Sequence, residues 1–481
     1  MNERANTIET YITSAGIEVT RRTTALMVAD ALTPALDKIN THRGAVFASG
    51  YEYPGRYSRW DMAFVDPPLE IVARQREFSI GALNERGTLI LKMFRPAFDE
   101  LAHLDHLDAD DQRLEGRIRE MPSYFPEEER SKQPTIFSVM RCLVDTMKSE
   151  VDPHLGFYGA MGYDLVFQFE PIELLHPRDR DRPDLHLFLP DELIVVDHRK
   201  EQAHRYQYDF AVEGFGTAGI ERDGETMAPA HGTATPIASD HRPGEYADKV
   251  KEIIAGTERG DFFEVVLSQV LSAGYPGTPK DLFENIRARN PSPYEFLINL
   301  GDEQLIGASP EMFVRVEDSK VETCPIAGTI PRGVTPMEDA KRILELLNSA
   351  KDEAELTMCT DVDRNDKSRV CEPGSVQVEG RRLIEIYSRL IHTVDYVVGT
   401  LKQDCDSFDA LLSHMWACTL TGAPKPAAMQ RVEDLENSAR EWYGGCVGMV
   451  LFNGDINTGI TIRTVHLREG IASVRAGATL L

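Results

Sequence analysis

Closely spaced turns in the second half of the chain constrain the fold more than any other sequence feature. One strand pair spans residues 295–307 and turns at Gly301-Asp302, and the next spans 312–324 and turns at Asp318-Ser319. Turns this short join neighbouring antiparallel strands. The pattern predicts an α+β fold with antiparallel sheets rather than alternating βαβ units. Further strands are predicted at 262–271, 375–402, 446–464 and 471–479.

Apolar spacing and capping residues indicate the helices. Ala247, Val250 and Ile253 form one apolar stripe, which predicts a helix over 245–258. Thr278 before Pro279 is a good N-cap with proline at the first helical position. Similar signals predict helices over 279–288, 336–349 and about 351–362, from Asp406 and from Pro424, and polar helices around 98–120 and 134–150. In the first half, strands are expected at Gly44–Gly50, Thr88–Phe94 and Leu193–Asp197.

Residues 213–244 mark the clearest change in composition. The segment is rich in Gly, Ala, Thr and Pro and has no apolar periodicity, which is typical of a linker or a long surface crossing. We therefore expect an N-terminal domain over 1–243 and a second domain over 244–481. A chain of 481 residues is long enough for two or three domains with large cores.

Net charge limits the class of ligand. The 78 acidic and 52 basic residues give a formal charge of −26, which opposes approach to nucleic acid or an anionic membrane. An anionic substrate must then be held by a few local cations or by a metal.

Neither a secretory signal nor a run of roughly 18 apolar residues is found, so a cytoplasmic location is expected. The seven scattered cysteines form no CxxC pair and are interpreted as reduced, buried thiols.

Two carboxylates three residues apart are the first candidate site. Asp352 and Glu355 lie on a predicted helix, so both point to one face. Such a pair can bind a hard divalent cation such as Mg²⁺. The alternative is a solvated acidic face of the helix, which is the more common occurrence of such pairs.

Two glycine-containing segments are candidates for contact with a ligand. Gly328 lets backbone N–H groups approach a ligand closely, and Thr329 adds a hydroxyl donor; the alternative is a plain turn. The segment 419–425, which contains Thr421, leads into the predicted helix at Pro424. Free N–H groups at a helix start favour an anion, and the alternative there is ordinary capping.

His392 and Arg463 lie in otherwise apolar, strand-like runs. A lone histidine in such a run is more often a core side chain than an acid or base. Arginine is seldom buried unpaired, so Arg463 is expected to meet an anion, either a protein carboxylate or a ligand. The sequence has no GxSxG, P-loop, GxGxxG or HExxH motif, so nucleophilic hydrolysis and nucleotide chemistry have no support.

Ten segments, taken together and in order, resemble the chorismate-utilising enzymes, and within them the large subunit (component I) of anthranilate synthase. They are GDFFEVVLSQ (260–269), NPSPYEF (290–296), GASPEMFVRV (307–316), PIAGT (325–329), KDEAELTMCTDVDRND (351–366), SRLIHTV (388–394), LTGAPK (420–425), WYGG (442–445), IRT (462–464) and RAGAT (475–479). Upstream, SGYEYPGRYSRWD (49–61) and FYGAMGYDLVFQFE (157–170) are similar to the synthase half of fused forms, in which a glutamine amidotransferase follows on the same polypeptide.

The resemblance implies two packed antiparallel sheets flanked by helices, with chorismate bound in the second half of the chain. It implies that Asp352 and Glu355 hold Mg²⁺, which polarises the ring carboxylate. Arg463 and Tyr443 are then expected to hold the enolpyruvyl carboxylate, and backbone groups at two glycines are expected to fix the ring. The implied substrate-contacting residues are Ala327, Gly328, Thr329, Thr421, Tyr443, Arg463 and Gly477.

The implied reaction adds ammonia at C2 of chorismate as the C4 hydroxyl leaves. Loss of the C2 proton and of pyruvate then gives anthranilate, for tryptophan biosynthesis. His392 is the implied acid or base, and Thr329 and Glu264 are the other catalytic candidates. Relatives that form isochorismate or salicylate carry a lysine at the position of Glu264, and those that form aminobenzoate carry one at Ala327. Neither lysine is present here, which favours ammonia at C2.

The same resemblance implies partners and regulation. Ser49, Pro293 and Tyr294 are the expected tryptophan site, but their surroundings depart from the family's LLES and NPSPYM, which leaves feedback inhibition open. Thr479 replaces the second glycine of the family's AGAG. No segment resembles an amidotransferase, so nitrogen is expected from a glutamine amidotransferase partner or fused domain, or from free ammonia. Assembly into a homo-oligomer is also left open.

Two other hypotheses remain. Family members continue past the position of Leu481 into an acidic segment, DSxPxxExxE, that completes the Mg²⁺ site, so we expect a catalytic domain truncated at its C-terminus. A catalytically silent regulatory or scaffold subunit is therefore one alternative. The other is a 2-amino-2-deoxyisochorismate synthase of secondary metabolism, which stops before pyruvate is lost.

Overall fold

The computed structural model describes residues 6–120, 125–179, 181–228 and 232–481. Most of these residues belong to two large antiparallel sheets or to the helices around them. The strands of the first half are β1 (Asn6–Ile12), β2 (Glu18–Leu26), β3 (Gly44–Ser49), β4 (Trp60–Val65), β5 (Leu69–Arg74), β6 (Glu77–Ala82), β7 (Leu104–Ala109), β8 (Arg113–Ile118), β9 (Gly156–Met161), β10 (Leu185–Leu189), β11 (Glu192–Asp197), β12 (Gln202–Val212), β13 (Phe215–Gly216) and β14 (Ala238–Ser239).

The second half has a similar number of strands and most of the helices. Its strands are β15 (Glu264–Gly274), β16 (Tyr294–Asn299), β17 (Glu303–Ser309), β18 (Met312–Glu317), β19 (Lys320–Thr323), β20 (Ile326–Pro331), β21 (Gln377–Ile386), β22 (Leu390–Thr400), β23 (Gly422–Ala423), β24 (Cys446–Leu451), β25 (Ile456–Ile460), β26 (Thr464–Arg468) and β27 (Ile471–Leu480). The helices of the chain are α1 (Thr33–Lys38), α2 (Glu85–Phe98), α3 (Ile136–Met147), α4 (Glu245–Arg259), α5 (Pro279–Arg289), α6 (Pro336–Leu347), α7 (Ala350–Val370), α8 (Ser407–His414), α9 (Cys418–Thr421) and α10 (Lys425–Leu435).

Apart from the short strand β14, which pairs with β15 at the far end of the first sheet, each half of the chain contributes one side of both sheets. The first sheet runs β1-β2-β12-β11-β4-β3-β16-β17-β26-β27-β15-β14, and the second runs β20-β22-β19-β18-β25-β24-β9-β10-β5-β6-β8-β7. The two halves therefore meet where β3 pairs with β16 and where β9 pairs with β24. The predicted α+β fold of two packed antiparallel sheets is confirmed. The division at 243/244 stays a prediction, and it separates two sides of continuous sheets.

A core of aromatic and aliphatic side chains lies between the sheets. Phe64 of the first sheet contacts Tyr158 and Phe188 of the second, with ring centroids 5.7 and 6.1 Å apart. Phe296 and Met449 extend the same cluster across the two halves. Each of these large side chains contributes roughly 1.5–3 kcal/mol by burial, so this cluster holds the sheets face to face.

The predicted cap at Thr278 and the predicted helix start at Asp406 are found in the structure. The Thr278 side chain accepts a hydrogen bond from the Asp281 N–H at 3.1 Å, which satisfies a free donor at the start of α5. Asp406 and Asp409 form a capping box at α8. The helix predicted over about 351–362 is α7, which is longer and ends at Val370.

Two predictions in the first half are wrong. The expected strand Thr88–Phe94 lies inside α2, whose N-cap Asn84 accepts a hydrogen bond from the Gly87 N–H at 2.9 Å. The expected helix around 98–120 is largely the β7–β8 hairpin. The reason is visible in β8, where buried Leu114, Gly116 and Ile118 alternate with exposed residues, the period of a strand rather than a helix.

The segment 213–244 crosses the surface with little regular structure, as expected. Residues 229–231 of this segment lie outside the described part of the chain. Elsewhere it forms only the short strands β13 and β14. The buried Arg86 donates to the carbonyls of Thr217 and Ile220 at 2.6 and 3.1 Å, so the crossing is fastened to the first half. Within the described ranges, no helix combines the length and the apolar character needed to span a membrane.

Candidate active site

A bulge in β20 brings Gly328 against helix α7. The pairing of β20 with β22 shifts between Ala327 and Thr329, and Gly328 has φ +84°. A Cβ at this position would lie 2.6 Å from Thr393 Oγ1 and 3.1 Å from the Asp352 Cβ. Glycine is therefore required both by the left-handed backbone and by the close approach of α7.

His392 links the bulge to Arg463. Its Nδ1 lies 2.9 Å from Thr329 Oγ1, and its Nε2 lies 2.9 Å from Arg463 Nη2. Because arginine only donates hydrogen bonds, Nε2 is assigned as the acceptor and Nδ1 as the protonated nitrogen. Burial, and then the charge of Arg463, lower the pKa of His392 to about 4. The imidazole is therefore neutral at pH 7, with a lone pair on Nε2.

The sequence indicated that Arg463 lies in a strand. In the structure it lies in the turn between β25 and β26. Its φ of +50° is unusual for a residue other than glycine, and its side chain is exposed. Among the described residues, no carboxylate oxygen lies within 4.0 Å of its guanidinium. Of the two options left open by the sequence, the arrangement fits a guanidinium that is available to an anionic ligand.

Asp352 and Glu355 share one face of α7 and can reach a common cation. The Lys351 Nζ lies 2.9 Å from Glu355 Oε2 and 3.9 Å from Asp352 Oδ1. A single ammonium within reach of both carboxylates indicates where a metal ion would lie. Two carboxylates are the usual protein contribution to a Mg²⁺ site, so the donor set fits this ion.

Tyr443 lies in the turn before β24, beside Gly477 of the first sheet. A Cβ at Gly477 would be 2.7 Å from the Tyr443 Oη, so glycine leaves space for the phenol. Gly477 belongs to β27, where it pairs with Ser268 of β15. Burial raises the pKa of Tyr443 to about 12. The phenol therefore keeps its proton at pH 7 and is a hydrogen-bond donor.

Glu264 lies at the start of β15 and is completely buried. Burial, and then the negative charge of Glu355, raise its pKa to about 8. Thr421, on the adjacent short helix α9, donates its hydroxyl to the Ala417 carbonyl at 3.0 Å. The hydroxyl of Thr421 thus bonds to the N-cap of its own helix, whereas Thr329 is exposed and its hydroxyl contacts His392.

Glu311 is a residue of this region that the sequence reasoning missed. It is almost fully buried, and its Oε1 accepts hydrogen bonds from the Thr419 hydroxyl at 2.9 Å and from the Ile326 N–H at 3.3 Å. Burial raises its pKa to about 8. The signal was a carboxylate in GASPEMF, between two strands in an otherwise apolar run.

The three residues predicted to bind a regulator line a single cavity. Ser49, Pro293 and Tyr294 surround a space of about 320 Å³, together with Arg56 and Asn457. The Tyr294 hydroxyl donates to Asn457 Oδ1 at 3.0 Å. Ser49 lies at the end of β3 and Tyr294 at the start of β16, so this cavity lies at the junction of the two halves.

The fold and the site define a class of protein: a two-sheet α+β enzyme with a carboxylate pair, an exposed guanidinium and a neutral imidazole on neighbouring elements. The chain belongs to the chorismate binding enzyme family, whose family model matches residues 104–481. It is 37% identical over 346 residues to anthranilate synthase component 1 of Acetivibrio thermocellus, covering 68% of this chain and 70% of that protein.

A second relative matches nearly the whole chain. The anthranilate synthase of Azospirillum brasilense is 48% identical over 472 residues, which is 98% of this chain and 64% of that protein. The chain therefore spans just under two thirds of the length of this relative.

Solved structures agree with the fold. Anthranilate synthase component I from Streptococcus pneumoniae superimposes with a TM-score of 0.65 at 27% identity, covering 90% of this chain and 88% of that chain. The isochorismate synthase MenF from Escherichia coli has the same fold, with a TM-score of 0.64 at 14% identity over 98% of this chain and 91% of that chain.

Proposed function

We propose that this chain is the synthase component of an anthranilate synthase, which converts chorismate and ammonia to anthranilate and pyruvate. The observation that carries the proposal is the contact of His392 with both Thr329 and Arg463, beside the helix that bears Asp352 and Glu355. This arrangement combines a base, an anion-binding guanidinium and a cation site. The 48% identity to the Azospirillum enzyme supports the same reaction.

The dicarboxylate substrate is held by few groups despite the net charge of −26. The exposed Arg463 guanidinium and the Tyr443 phenol donate to the enolpyruvyl carboxylate. Thr329 is free to donate its own hydroxyl proton to the substrate, because its oxygen accepts from His392 Nδ1. The backbone at Ala327, Gly328 and Gly477 borders the ring, whereas Thr421 contributes through its main chain.

Asp352 and Glu355 would hold Mg²⁺, which polarises the ring carboxylate when bound. Ammonia adds at C2 as the C4 hydroxyl leaves, and His392 Nε2 then accepts the C2 proton. The electron pair of that C–H bond joins the ring as the C3–O bond breaks, and the released enolpyruvate becomes pyruvate. A substrate carboxylate on Arg463 offsets the charge that lowers the His392 pKa, so binding makes His392 a stronger base.

Nitrogen supply and regulation belong to the same proposal. Ammonia comes from a glutamine amidotransferase, as a partner or a fused domain, or directly from solution. The cavity at Ser49, Pro293 and Tyr294 is lined by both aromatic and polar side chains, among them Trp60 and Arg56, which suits an aromatic amino acid such as tryptophan. Its position between β3 and β16 joins it to both halves of the first sheet.

Incubation of the protein with chorismate, Mg²⁺ and ammonium tests the proposal. We expect fluorescent anthranilate and an equal amount of pyruvate, both lost when Mg²⁺ is chelated. The variant Glu355→Gln should reduce the rate on the order of 10²-fold or more, because a metal supplies several kcal/mol of transition-state stabilisation. Glu353→Gln is the matched control, since Glu353 lies on the same helix but is exposed and pairs with Arg382.

His392 has a distinct signature in the same assay. His392→Ala should reduce pyruvate release by roughly 10²–10⁴-fold while amination at C2 continues, so a non-aromatic amino product accumulates. Formation of that product without pyruvate by the unaltered protein would instead identify an aminodeoxyisochorismate synthase. Absence of both turnover and Mg²⁺-dependent chorismate binding would identify a silent subunit.

Addition of tryptophan to the same assay shows whether a ligand in the 320 Å³ cavity regulates the rate.

A further inference from the structure

Three potential metal ligands from distant parts of the chain converge in the interior. Glu264 of β15, Cys359 of α7 and Cys418 of α9 are buried, with 0%, 1% and 6% of their surfaces exposed. Cys359 Sγ lies 3.7 Å and Cys418 Sγ 3.9 Å from Glu264 Oε2. All three ligand atoms lie within 4.8 Å of one another. The spacing of these residues in the sequence resembles no metal motif.

The distances agree with three corners of a tetrahedral site. Zinc binds cysteine sulfur at about 2.3 Å and carboxylate oxygen at about 2.0–2.2 Å. Tetrahedral angles at these lengths separate sulfur from oxygen by about 3.6 Å. The observed separations are 3.7 and 3.9 Å, so small side-chain movements bring all three atoms to one ion.

There is also space for a fourth ligand. Cys359 and Cys418 both line a cavity of about 30 Å³, together with Glu311 and Thr419. A polar cavity of this size holds one or two waters. Three protein ligands and one water make a tetrahedral site with an open position.

The carboxyl group of Glu264 is incompletely satisfied without an ion. Its Oε1 has no hydrogen-bond partner among the described residues, and a buried polar atom left unpaired is costly. Its Oε2 receives the thiols of Cys359 and Cys418, which are weak donors. Two thiolates and one carboxylate are the ligands that a soft or borderline cation prefers over Mg²⁺.

We propose that Glu264, Cys359 and Cys418 form a second metal site, separate from the Asp352 and Glu355 pair, that binds a thiophilic divalent cation such as Zn²⁺. Binding replaces the two S–H protons with metal–sulfur bonds and the proton of the Glu264 carboxyl group with a metal–oxygen bond, and the released protons pass to the solvent. The binding step does not depend on the proposed function, because it is measured without substrate.

The test is titration of the reduced, metal-free protein with Zn²⁺ by calorimetry and with Cd²⁺ by ultraviolet absorption. We expect one tight equivalent per chain, a thiolate-to-cadmium charge-transfer band, and proton release that appears as a buffer-dependent heat. Cys359→Ser and Cys418→Ser should each weaken binding by roughly 10²-fold or more, because a thiolate ligand is lost. Cys446→Ser is the matched control, since Cys446 is equally buried but lies in β24, away from the cluster.

Two outcomes overturn the proposal. One is tight binding that survives both cysteine variants but is lost in Asp352→Asn, which would assign the ion to the carboxylate pair. The other is the absence of a charge-transfer band in unaltered protein whose circular dichroism is that of the folded chain. If one cysteine variant fails to fold, the metal affinity of the other variant and the proton release of the unaltered protein test the proposal.

Discussion

At the scale of single residues, His392 shows how neighbours set a protonation state. Its two ring nitrogens have different partners, because Arg463 can only donate and Thr329 can accept. The assigned tautomer therefore directs the lone pair toward the exposed guanidinium, where an anionic substrate is proposed to bind. From the sequence, His392 could be either a core side chain or an acid or base. Its contacts with Thr329 and Arg463 favour the second interpretation.

The low pKa of His392 predicts a specific pH dependence of stability. The folded-state pKa is about 4 and the unfolded value about 6.5, so the unfolded chain binds more protons between these values. The neutral His392 therefore contributes fully to the free energy of unfolding above pH 6.5. As the pH falls toward 4 this contribution is lost, which lowers the free energy of unfolding by roughly 3 kcal/mol. Urea unfolding at pH 7 and pH 4.5 should therefore show a smaller acid-induced loss for His392→Gln than for the unaltered protein.

A matched variant separates this effect from general acid sensitivity. His466→Gln removes a histidine that pairs with Glu303, so it should not reduce the acid-induced loss in the same way. Equal losses of stability in the unaltered protein and in His392→Gln would show that His392 is not held neutral in the folded state.

At the scale of elements, the site depends on how closely α7 packs against β20. Gly328 forms the contact, with its backbone in the left-handed region and the Asp352 Cβ 3.1 Å from where a Cβ would lie. The carboxylate pair is thus positioned by a strand bulge as well as by its own helix. This explains why a helical spacing of three residues could predict the pair but not its partners.

Gly328→Ala should destabilise the fold and weaken metal binding together. The left-handed backbone costs an alanine about 1–2 kcal/mol, and the added methyl group would collide with Thr393 Oγ1 at 2.6 Å. Gly374→Ala is the control, because Gly374 has nearly the same φ, +82°, and no atom within 4 Å of the added Cβ. Gly328→Ala should have the lower free energy of unfolding and the lower Mg²⁺ affinity of the two variants. Equal values would mean that α7 can move away from the added methyl group without loss of stability.

At the scale of the whole molecule, both sheets run across the middle of the chain. β3 pairs with β16 over Gly44–Ala48 and Glu295–Asn299, and β9 pairs with β24 over Gly156–Met161 and Cys446–Leu451. These strands are almost entirely buried. Separation of the halves would expose four long strand edges, which promote aggregation.

Expression of 1–243 and 244–481 as separate chains tests whether the halves fold alone. We expect each to be insoluble or to lack a cooperative thermal transition, whereas co-expression should give a soluble complex with the circular dichroism of the intact protein. The physical reason is that each half lacks the pairing partners of two central strands. A soluble, monomeric half that melts cooperatively would instead support two independent domains.

Sequence and structure agree most closely where the signals are local. The cap at Thr278, the helix start at Asp406 and the turns at Gly301 and Asp318 act over a few residues, and the corresponding elements are found as predicted. The errors in the first half also have local causes. The Asn84 cap at the start of α2 and the alternation in β8 are both present in the sequence, and both contradict the predicted elements.

The sequence by itself determined the antiparallel α+β class, and it supplied the predictions that the ligand is not a nucleic acid and that the named residues form the site. Only the tertiary structure decided that His392 contacts Arg463, that Glu311 is buried nearby, and that Glu264, Cys359 and Cys418 converge. Turns and caps are read from neighbouring residues. Contacts between residues far apart in the chain depend on strand order and register, which are settled only when both sheets pack.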